Sequence, residues 1–393
     1  MDNNWNVRVR MYRVGFGDCF LVTIAGKHIL IDCGVHTQSE FKGIAEAVQA
    51  IKTATDGKLA VVVATHAHAD HISGFGTEAE TFQELEVGEV WMPWLEDLSD
   101  DVAKTLHTKT AALAGLLHAH LNVAGAAADP LVEGIALNAL GAVGRSSTGN
   151  NAKALELLRG GFGDKQRTKY LRAGEVLQDA GGIKGLTVRV LAPSDDTKFL
   201  SRMNPPEAQL YGLDENGQPT IEELVPFAER WKADGGPLDA DYQKLLNDTV
   251  AMPLQALALS VDNYLNNTSL CLLMTYKGKK LLFPGDAQWG NWQSWQNEWD
   301  DILGEIDFYK VGHHGSHNAT PHEALAKMTG KSVVAMASTD TVKSFNKGKF
   351  PVPYDKLVTA VKEQVGNRYA QSDQLSNAGA PFEAEQGWCD YFV

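Results

Sequence analysis

Cysteine is scarce in this chain: 393 residues hold four, Cys19, Cys33, Cys271 and Cys389. None falls in a C-x-x-C pair, which removes zinc knuckles and dithiol redox motifs from consideration. Cys19, Cys33 and Cys271 lie inside apolar runs, where a thiol behaves as a small core residue. Long hydrophobic runs are missing too. None reaches the ~18 residues that a membrane-crossing helix requires. The opening stretch "MDNNWNVRVRMYR" lacks the apolar segment of a secretory signal, so a reduced cytoplasm is the expected setting. Positive charge is short: 35 Lys and Arg stand against 49 Asp and Glu, a formal net charge of −14. Such a surface repels phosphate backbones and disfavours broad contact with long nucleic acid. The "GFG" at 15–17 lacks the third glycine and following helix of a dinucleotide fingerprint. There is no internal repeat and no low-complexity tract.

What is present suits a globular α/β protein. Hydrophobic residues make up 44% and charged residues 21%. "NVRVRMYRV" alternates Val7, Val9 and Met11 against Arg8, Arg10 and Tyr12, a strand with one wet face. "GDCFLVTI" and "KHILIDCG" flank "AGK" as a hairpin. Phe41, Ile44, Val48 and Ile51 recur at helical spacing, which predicts an amphipathic helix over Ser39–Lys52. "LAVVVAT" is apolar throughout and fits a central strand covered on both faces. Strands return as "TSLCLLMTY", "KKLLFPGD", "IDFYKVGHHGS" and "SVVAMAS", with helices near His322–Met328 and over "DKLVTAVKEQV". This order predicts two sheets packed face to face under outer helices, an αββα sandwich. Between them the texture turns helical and rich in Ala and Gly. Val102, Leu106, Leu113, Leu117 and Leu121 make one stripe, "LTVRVLAP" interrupts as a strand, and a short helix is expected from Thr220 to Lys232. The expected division is a core of 1–94 and 246–393 and a mostly helical insertion, 95–245, covering the active-site side.

The chemistry gathers at strand ends. "VVVATHAHADHISG" places His66, His68, Asp70 and His71 within six residues of an apolar strand's end. Catalytic zinc-type sites take nitrogen and oxygen ligands and keep a position open for water. Two ions ~3.5–4 Å apart can activate a shared water and stabilise both attacking and leaving oxygens. "KKLLFPGDAQ" sets Asp286 behind a Pro-Gly turn, where its two oxygens could bridge two cations; an isolated Asp there would more often cap a turn. "DFYKVGHHGSHNATP" brings His313 and His314 to a third strand end. One of the two would complete the second ion. The first assignment makes His313 the ligand and His314 the group that protonates the leaving group, with the reverse left open. His317, farther along that loop, is a substrate contact or a solvated side chain. Trp289, Trp292, Trp295 and Trp299 follow Asp286 at helical spacing, a pattern more often core than a base-stacking platform. His107, His118 and His120 lie in the helical segment at no ligand spacing.

Taken together, "VGFGDCFLV", "ILIDCG", "THAHADHISG", "NNTSLCLL", "LLFPGDA" and "KVGHHGS" resemble the metallo-β-lactamase superfamily. The likeness is nearest to the hydrolase-like domain of bacterial competence DNA-uptake channel proteins and its soluble relatives. It covers about 1–94 and 250–365. The resemblance implies that His66, His68, Asp70, His71, Asp286 and His313 or His314 hold metal. It implies that Asp32 is a buried support and Asp18 a turn carboxylate near the cleft. Two departures stand out. Where many relatives place a third histidine for the first ion, this chain has Asn266 or Asn267, weak amide-oxygen ligands that suit a harder ion such as manganese. Where relatives carry a late Gly-His-Pro, this chain has "FPVPYDKL", with Val352 at the histidine's place.

The expected function is a metal-dependent hydrolase using a metal-bridged hydroxide on a phosphodiester, a nucleotide or short nucleic acid. Asp70 would orient the hydroxide, and two divalent ions, zinc or manganese, would be the cofactors. Ester, lactone or thioester hydrolysis on the same fold is the first alternative, and a non-catalytic metal-binding or sensing module the second. The expected partner is a small-molecule or short nucleotide substrate, with no membrane; the oligomeric state is left open.

Overall fold

The computed structural model describes residues 6–36, 39–124, 141–142, 149–163, 167–206, 209, 211, 261, 264–330, 332–341, 344–345 and 350–393. The first sheet takes β1 (Val7–Tyr12), β2 (Cys19–Ile24), β3 (Lys27–Cys33), β4 (Lys58–Val63), β5 (Glu86–Pro93) and β6 (Arg167–Leu171). The second takes β7 (Val176–Gln178), β8 (Leu186–Ala192), β9 (Cys271–Tyr276), β10 (Lys279–Phe283), β11 (Phe308–Lys310) and β12 (Val334–Ala337). A two-stranded ribbon, β13 (Ser344–Phe345) with β14 (Phe350–Pro351), stands apart. The chain then adds β15 (Tyr369–Gln371) to the second sheet, and β16 (Phe382–Ala384) and β17 (Trp388–Phe392) to the first. The orders are β16-β17-β1-β2-β3-β4-β5-β6 and β15-β12-β11-β10-β9-β8-β7.

The αββα expectation is met. Alternation along the strands sends side chains to two different cores. Val61 and Val63 of β4 face inward with Phe20, Ile29 and Ile31, against Leu272, Met274, Phe283 and Phe308 of the second sheet. Val62 faces outward with Leu21 and Leu30, under Val48 and Ile51 of α1 (Ile44–Ala54) and Ile72 and Phe75 of α2 (Ala69–Thr77). A third core lies outside the second sheet and holds all four tryptophans of the 289–299 run, each less than 8% exposed. Their core reading is correct, and they are not a stacking platform. All four cysteines are buried as free thiols.

Two sequence expectations change. The first helix begins at Ile44, five residues after Ser39, because Gly43 and the loop before it pack against Arg13 and Val14 backbone. The segment 95–245 is not all insertion: within it, β6 pairs with β5 in the first sheet, and β8 pairs with β9 in the second. Strands β6 and β7 are sheet edges, half wet and short, so they carry little hydrophobic signal. The "LTVRVLAP" strand therefore belongs to the core layers. The helix expected from Thr220 to Lys232 lies outside the described residues. Among the described residues no helix is long and apolar enough to cross a membrane.

Candidate metal centre

Parallel pairing of β3 with β4, and of β11 with both β10 and β12, brings the carboxyl ends of these strands to one end of the sandwich. Ligand sites in α/β sheets form at such ends. Asp32, the penultimate residue of β3, has a left-handed backbone (φ 56°). Its carboxylate accepts from the Thr65 amide at 2.7 Å and from the Thr65 hydroxyl at 2.7 Å. That clamp fixes the point at which β4 turns into the His66–His71 loop. His68 is extended, and α2 starts at the next residue, so Asp70 and His71 occupy its first turn.

Glycine lets other loops press against this one. An added Cβ at Gly34 would lie 2.4 Å from the His71 nitrogen and 2.5 Å from the Asp70 carbonyl carbon. At Gly17 it would lie 2.8 Å from the Asp70 oxygen. The Asp18 amide donates to the Asp70 carbonyl at 2.8 Å, and the Gly34 amide to the Asp18 carbonyl at 3.0 Å. "GFGD" and "DCG" are therefore the backbone bed of the ligand loop.

The second half arrives from β10 and β11. The Asp286 amide donates to Ser269 Oγ at 3.1 Å, and the His313 amide to the Gly285 carbonyl at 3.2 Å. His313 and His314 are both left-handed, at φ 44° and 51°. Strained backbone of this kind persists only where the surroundings hold it. The tight turn separates the two rings, whose centroids lie 6.3 Å apart at 60°.

Four side chains meet at one point. The ligand atoms of Asp70, His71, Asp286 and His314 all lie within 4.8 Å of one another, and all four residues are buried. His71 Nε2 is 3.0 Å from Asp286 Oδ2; His314 Nε2 is 3.1 Å from Asp70 Oδ2 and 3.4 Å from Asp286 Oδ2. Each imidazole is oriented from its other nitrogen. His71 Nδ1 lies 2.7 Å from Asp32 Oδ2, and His314 Nδ1 lies 2.9 Å from the Ser338 carbonyl. Acceptors at Nδ1 fix the tautomer that turns the Nε2 lone pair toward an ion, the usual support of metal-binding histidines. His66 and His68 flank the cluster, with His66 Nε2 3.0 Å from His68 Nδ1 and the His66 and His71 rings 4.2 Å apart.

The expected ligands His66, His68, Asp70, His71 and Asp286 are thus gathered, but of the two later histidines it is the one expected as proton donor, not the one expected as ligand, that lies with them. His314 joins the cluster; His313 does not. The His313 ring instead has its Nδ1 2.7 Å from Ser316 Oγ and 3.3 Å from Asn318 Oδ1, with its Nε2 3.3 Å from Asn266 Nδ2. The amide expectation also resolves. Asn267 is committed to structure: its Nδ2 donates to the Leu200 and Arg202 carbonyls, and its Oδ1 accepts from the Gln288 amide at 3.1 Å. Asn266, beside His68 and His313, is the amide at the site. His317 packs its ring on Tyr354, 6.4 Å away, outside the four-residue cluster. Burial and the neighbouring His313 bring it down to about 4.

Electrostatics divide the site. Burial lowers His66 well below the ordinary imidazole range and takes His68 down to about 4, so both are neutral donors of a lone pair. Burial also opposes charge on His314, but Asp286 and Asp18 outweigh it and push it up to about 10. His71 is raised in the same way by Asp286 and Asp32. The carboxylates Asp70 and Asp286, despite burial, are held well below their usual range by these imidazoles. The carboxylate side of the pocket calls for positive charge, and buried Asp70 Oδ1 has no hydrogen-bond partner. Neutral imidazole nitrogens beside oxygen acceptors in demand of cations fit divalent metal ions.

The motif reading missed Lys310. Its ammonium is buried with 2% side-chain exposure, donates to the Gly285 carbonyl at 3.0 Å, pairs with Asp18 and lies 3.4 Å from Asp286 Oδ1. A lone Lys closing the apolar strand "FYK" was the available signal.

Residues 12–90 match the family model of the metallo-β-lactamase superfamily. The matched stretch runs from the end of β1 into β5 and includes the His66–His71 loop. Solved structures with a similar fold include the metallo-β-lactamase fold protein YhfI from Bacillus subtilis, 8% identical, covering 93% of this chain and 95% of that one at a TM-score of 0.40. Igni18, a metallo hydrolase from the archaeon Ignicoccus hospitalis, is 12% identical, covering 92% and 94% at a TM-score of 0.39. No curated protein sequence matches the chain.

Proposed function

We propose that this chain is a metal-dependent hydrolase whose substrate is a phosphodiester of nucleotide or short-oligonucleotide size. The observation that carries the reading is the buried meeting of Asp70, His71, Asp286 and His314 beside the neutral pair His66 and His68. His66, His68 and Asn266 would help hold one divalent ion, and Asp70, His71 and His314 a second, with Asp286 a further carboxylate ligand at the site. Bound there, such ions polarise the scissile group and lower the pKa of water. The chain's own residues do the rest. Asp70 orients the attacking water through the oxygen it does not share with His314. Asp32 and Ser338 hold the two imidazoles in the required tautomer. His313, held at Nδ1 by Ser316, turns Nε2 toward Asn266 and is placed to hydrogen-bond the substrate.

The phosphodiester class is supported by the motif likeness to the competence-channel hydrolase-like domain. The acidic total charge favours a small or end-bound substrate over a long polymer. The test combines metal analysis with an activity panel. Two equivalents of zinc or manganese, with bis-p-nitrophenyl phosphate cleaved faster than p-nitrophenyl acetate or a lactone, is the expected result. Faster ester or lactone cleavage would replace the substrate class. Metal without turnover of any of them would point to a sensing module.

A further inference from the structure

The ion-binding pocket contains one permanent cation of its own. Four carboxylates, those of Asp18, Asp32, Asp70 and Asp286, are each no more than 6% exposed at the same strand ends. Facing them among the described residues, Lys310, itself 2% exposed, is the side chain whose ordinary range already makes it a cation at neutral pH, whereas His71 and His314 owe their charge to these carboxylates. It reaches back from the end of β11 to Asp18, 292 positions earlier in the chain, and across to Asp286. Its third donor is spent on the Gly285 carbonyl, next to Asp286. A buried ammonium loses its hydration and is retained only where such partners replace it. The placement also divides the two oxygens of Asp286. Oδ1 faces Lys310, while Oδ2 faces His71 and His314.

We propose that Lys310 is a resident counter-cation of this pocket, which holds the carboxylates together before divalent ions enter and leaves Asp286 a single oxygen, Oδ2, for those ions. The role rests on the pocket binding divalent ions, as proposed above. Lys310 is a positioning residue: it acts on the ions through Asp286 and Asp18. Two consequences follow from charge alone. Without Lys310 the metal-free pocket carries uncompensated buried carboxylates and loses stability. Arriving ions then meet more negative charge, and an ion that binds only the folded state restores what was lost.

The test compares wild type, Lys310→Met, Lys310→Arg and the double variant Asp18→Asn/Lys310→Met in melting experiments with EDTA and with excess zinc. Zinc affinity is measured in parallel by competition with a chromophoric chelator. Lys310→Met is expected to melt on the order of 5–10 °C below wild type in EDTA. In zinc most of that gap closes, so its zinc-induced shift exceeds the wild-type shift, and its zinc affinity rises about tenfold. Lys310→Arg keeps the charge and stays within about 3 °C of wild type in EDTA. The double variant, with one carboxylate neutralised, regains about half of the EDTA loss. Should Lys310→Met fail to fold in EDTA, recovery of folded protein on adding zinc is the same result in its extreme form. An equal loss in EDTA and in zinc, a double variant no better than the single, or wild-type melting of Lys310→Met would each overturn the proposal. A wild-type protein that neither binds zinc nor shifts with it would instead remove the metal-site reading, and this inference with it.

Discussion

Two groups of buried charges lie at this end of the sandwich, and they are built differently. Beyond the end of β5, Glu96 is 3% exposed and meets Arg159 at 2.8 Å and His107 at 3.5 Å. Burial alone would raise the Glu96 carboxyl, but His107 and then Arg159 hold it below the usual range. One carboxylate is matched by two cation donors, and the group is electrically closed. In the strand-end pocket four carboxylates face Lys310 and two imidazoles that become cations only through their acidic neighbours. One carboxylate oxygen there, Asp70 Oδ1, is buried without a hydrogen-bond partner. A buried polar group costs folding free energy unless something pairs with it. The Glu96 group pairs within the chain. The strand-end pocket leaves an oxygen unpaired within the chain, the difference to be expected between a structural ion cluster and a site built for an added cation.

The largest expected contrast comes from removing one carboxylate from each group. Asp286→Ala is expected to take bound zinc from about two equivalents to less than one, and to lower hydrolysis at least about 100-fold. Glu96→Ala is expected to leave metal content intact and to cost about 3–5 kcal/mol of stability, because it strands Arg159 and His107. Metal analysis and denaturant titration on both variants check this. Unchanged metal in Asp286→Ala would erase the distinction. Next comes Gly34→Ala. Its new Cβ meets backbone of Asp70 and His71 within 2.6 Å, and backbone cannot rotate out of the way. A loss of more than about 3 kcal/mol, together with weakened metal retention, is expected. Normal metal content in a destabilised Gly34→Ala would show that the glycine bed supports folding without placing the ligands.

How much of this was legible before folding depends on sequence distance. His66, His68, Asp70 and His71 share one loop, so spacing alone grouped them. Asp286 could be recognised from its Pro-Gly turn behind an apolar strand. The choice between His313 and His314 could not be made, since neighbours in sequence have the same neighbours in spacing. Two successive left-handed residues decide it, and nothing in "GHHGS" specifies where each ring ends. Asn266 and Asn267 are the same case, decided by the Leu200–Arg202 segment that captures Asn267. Lys310 was missed because its meaning depends on Asp18, at the far end of the chain. Strands β6 and β7 were read into an insertion because edge strands with one wet face lack the continuous apolar run that marks β4.

The placement of His314 in the cluster, and of His313 outside it, gives a third prediction. His314→Ala is expected to remove about one metal equivalent, whereas His313→Ala retains both and raises KM more than it lowers kcat. The opposite outcome, metal lost from His313→Ala and kept in His314→Ala, would return the ligand role to His313.

The smallest effect tests the closed group through pH. His107 is pulled down by burial but raised more strongly by Glu96, so its folded pKa lies above the ordinary 6.5. A group with a raised folded pKa contributes stability that is complete below its unfolded value and is lost as pH rises through its folded value. Glu96 has the opposite sign: its pKa is depressed below 4.5, so its contribution holds above that value and fades as acid reaches the depressed value. The two windows overlap between about pH 5 and 6.5, where the cluster is tightest. Raising the pH through the folded His107 value discharges it and leaves Glu96 with Arg159 alone. Against His107→Gln, wild type should therefore lose about 1 kcal/mol more between pH 6 and 9, measured as the difference between the two denaturant midpoints at each pH. Using the difference cancels the imidazoles of the strand-end pocket, which both proteins share. Parallel pH curves for the two proteins would mean that Arg159 alone neutralises Glu96 and that His107 is a bystander on its helix.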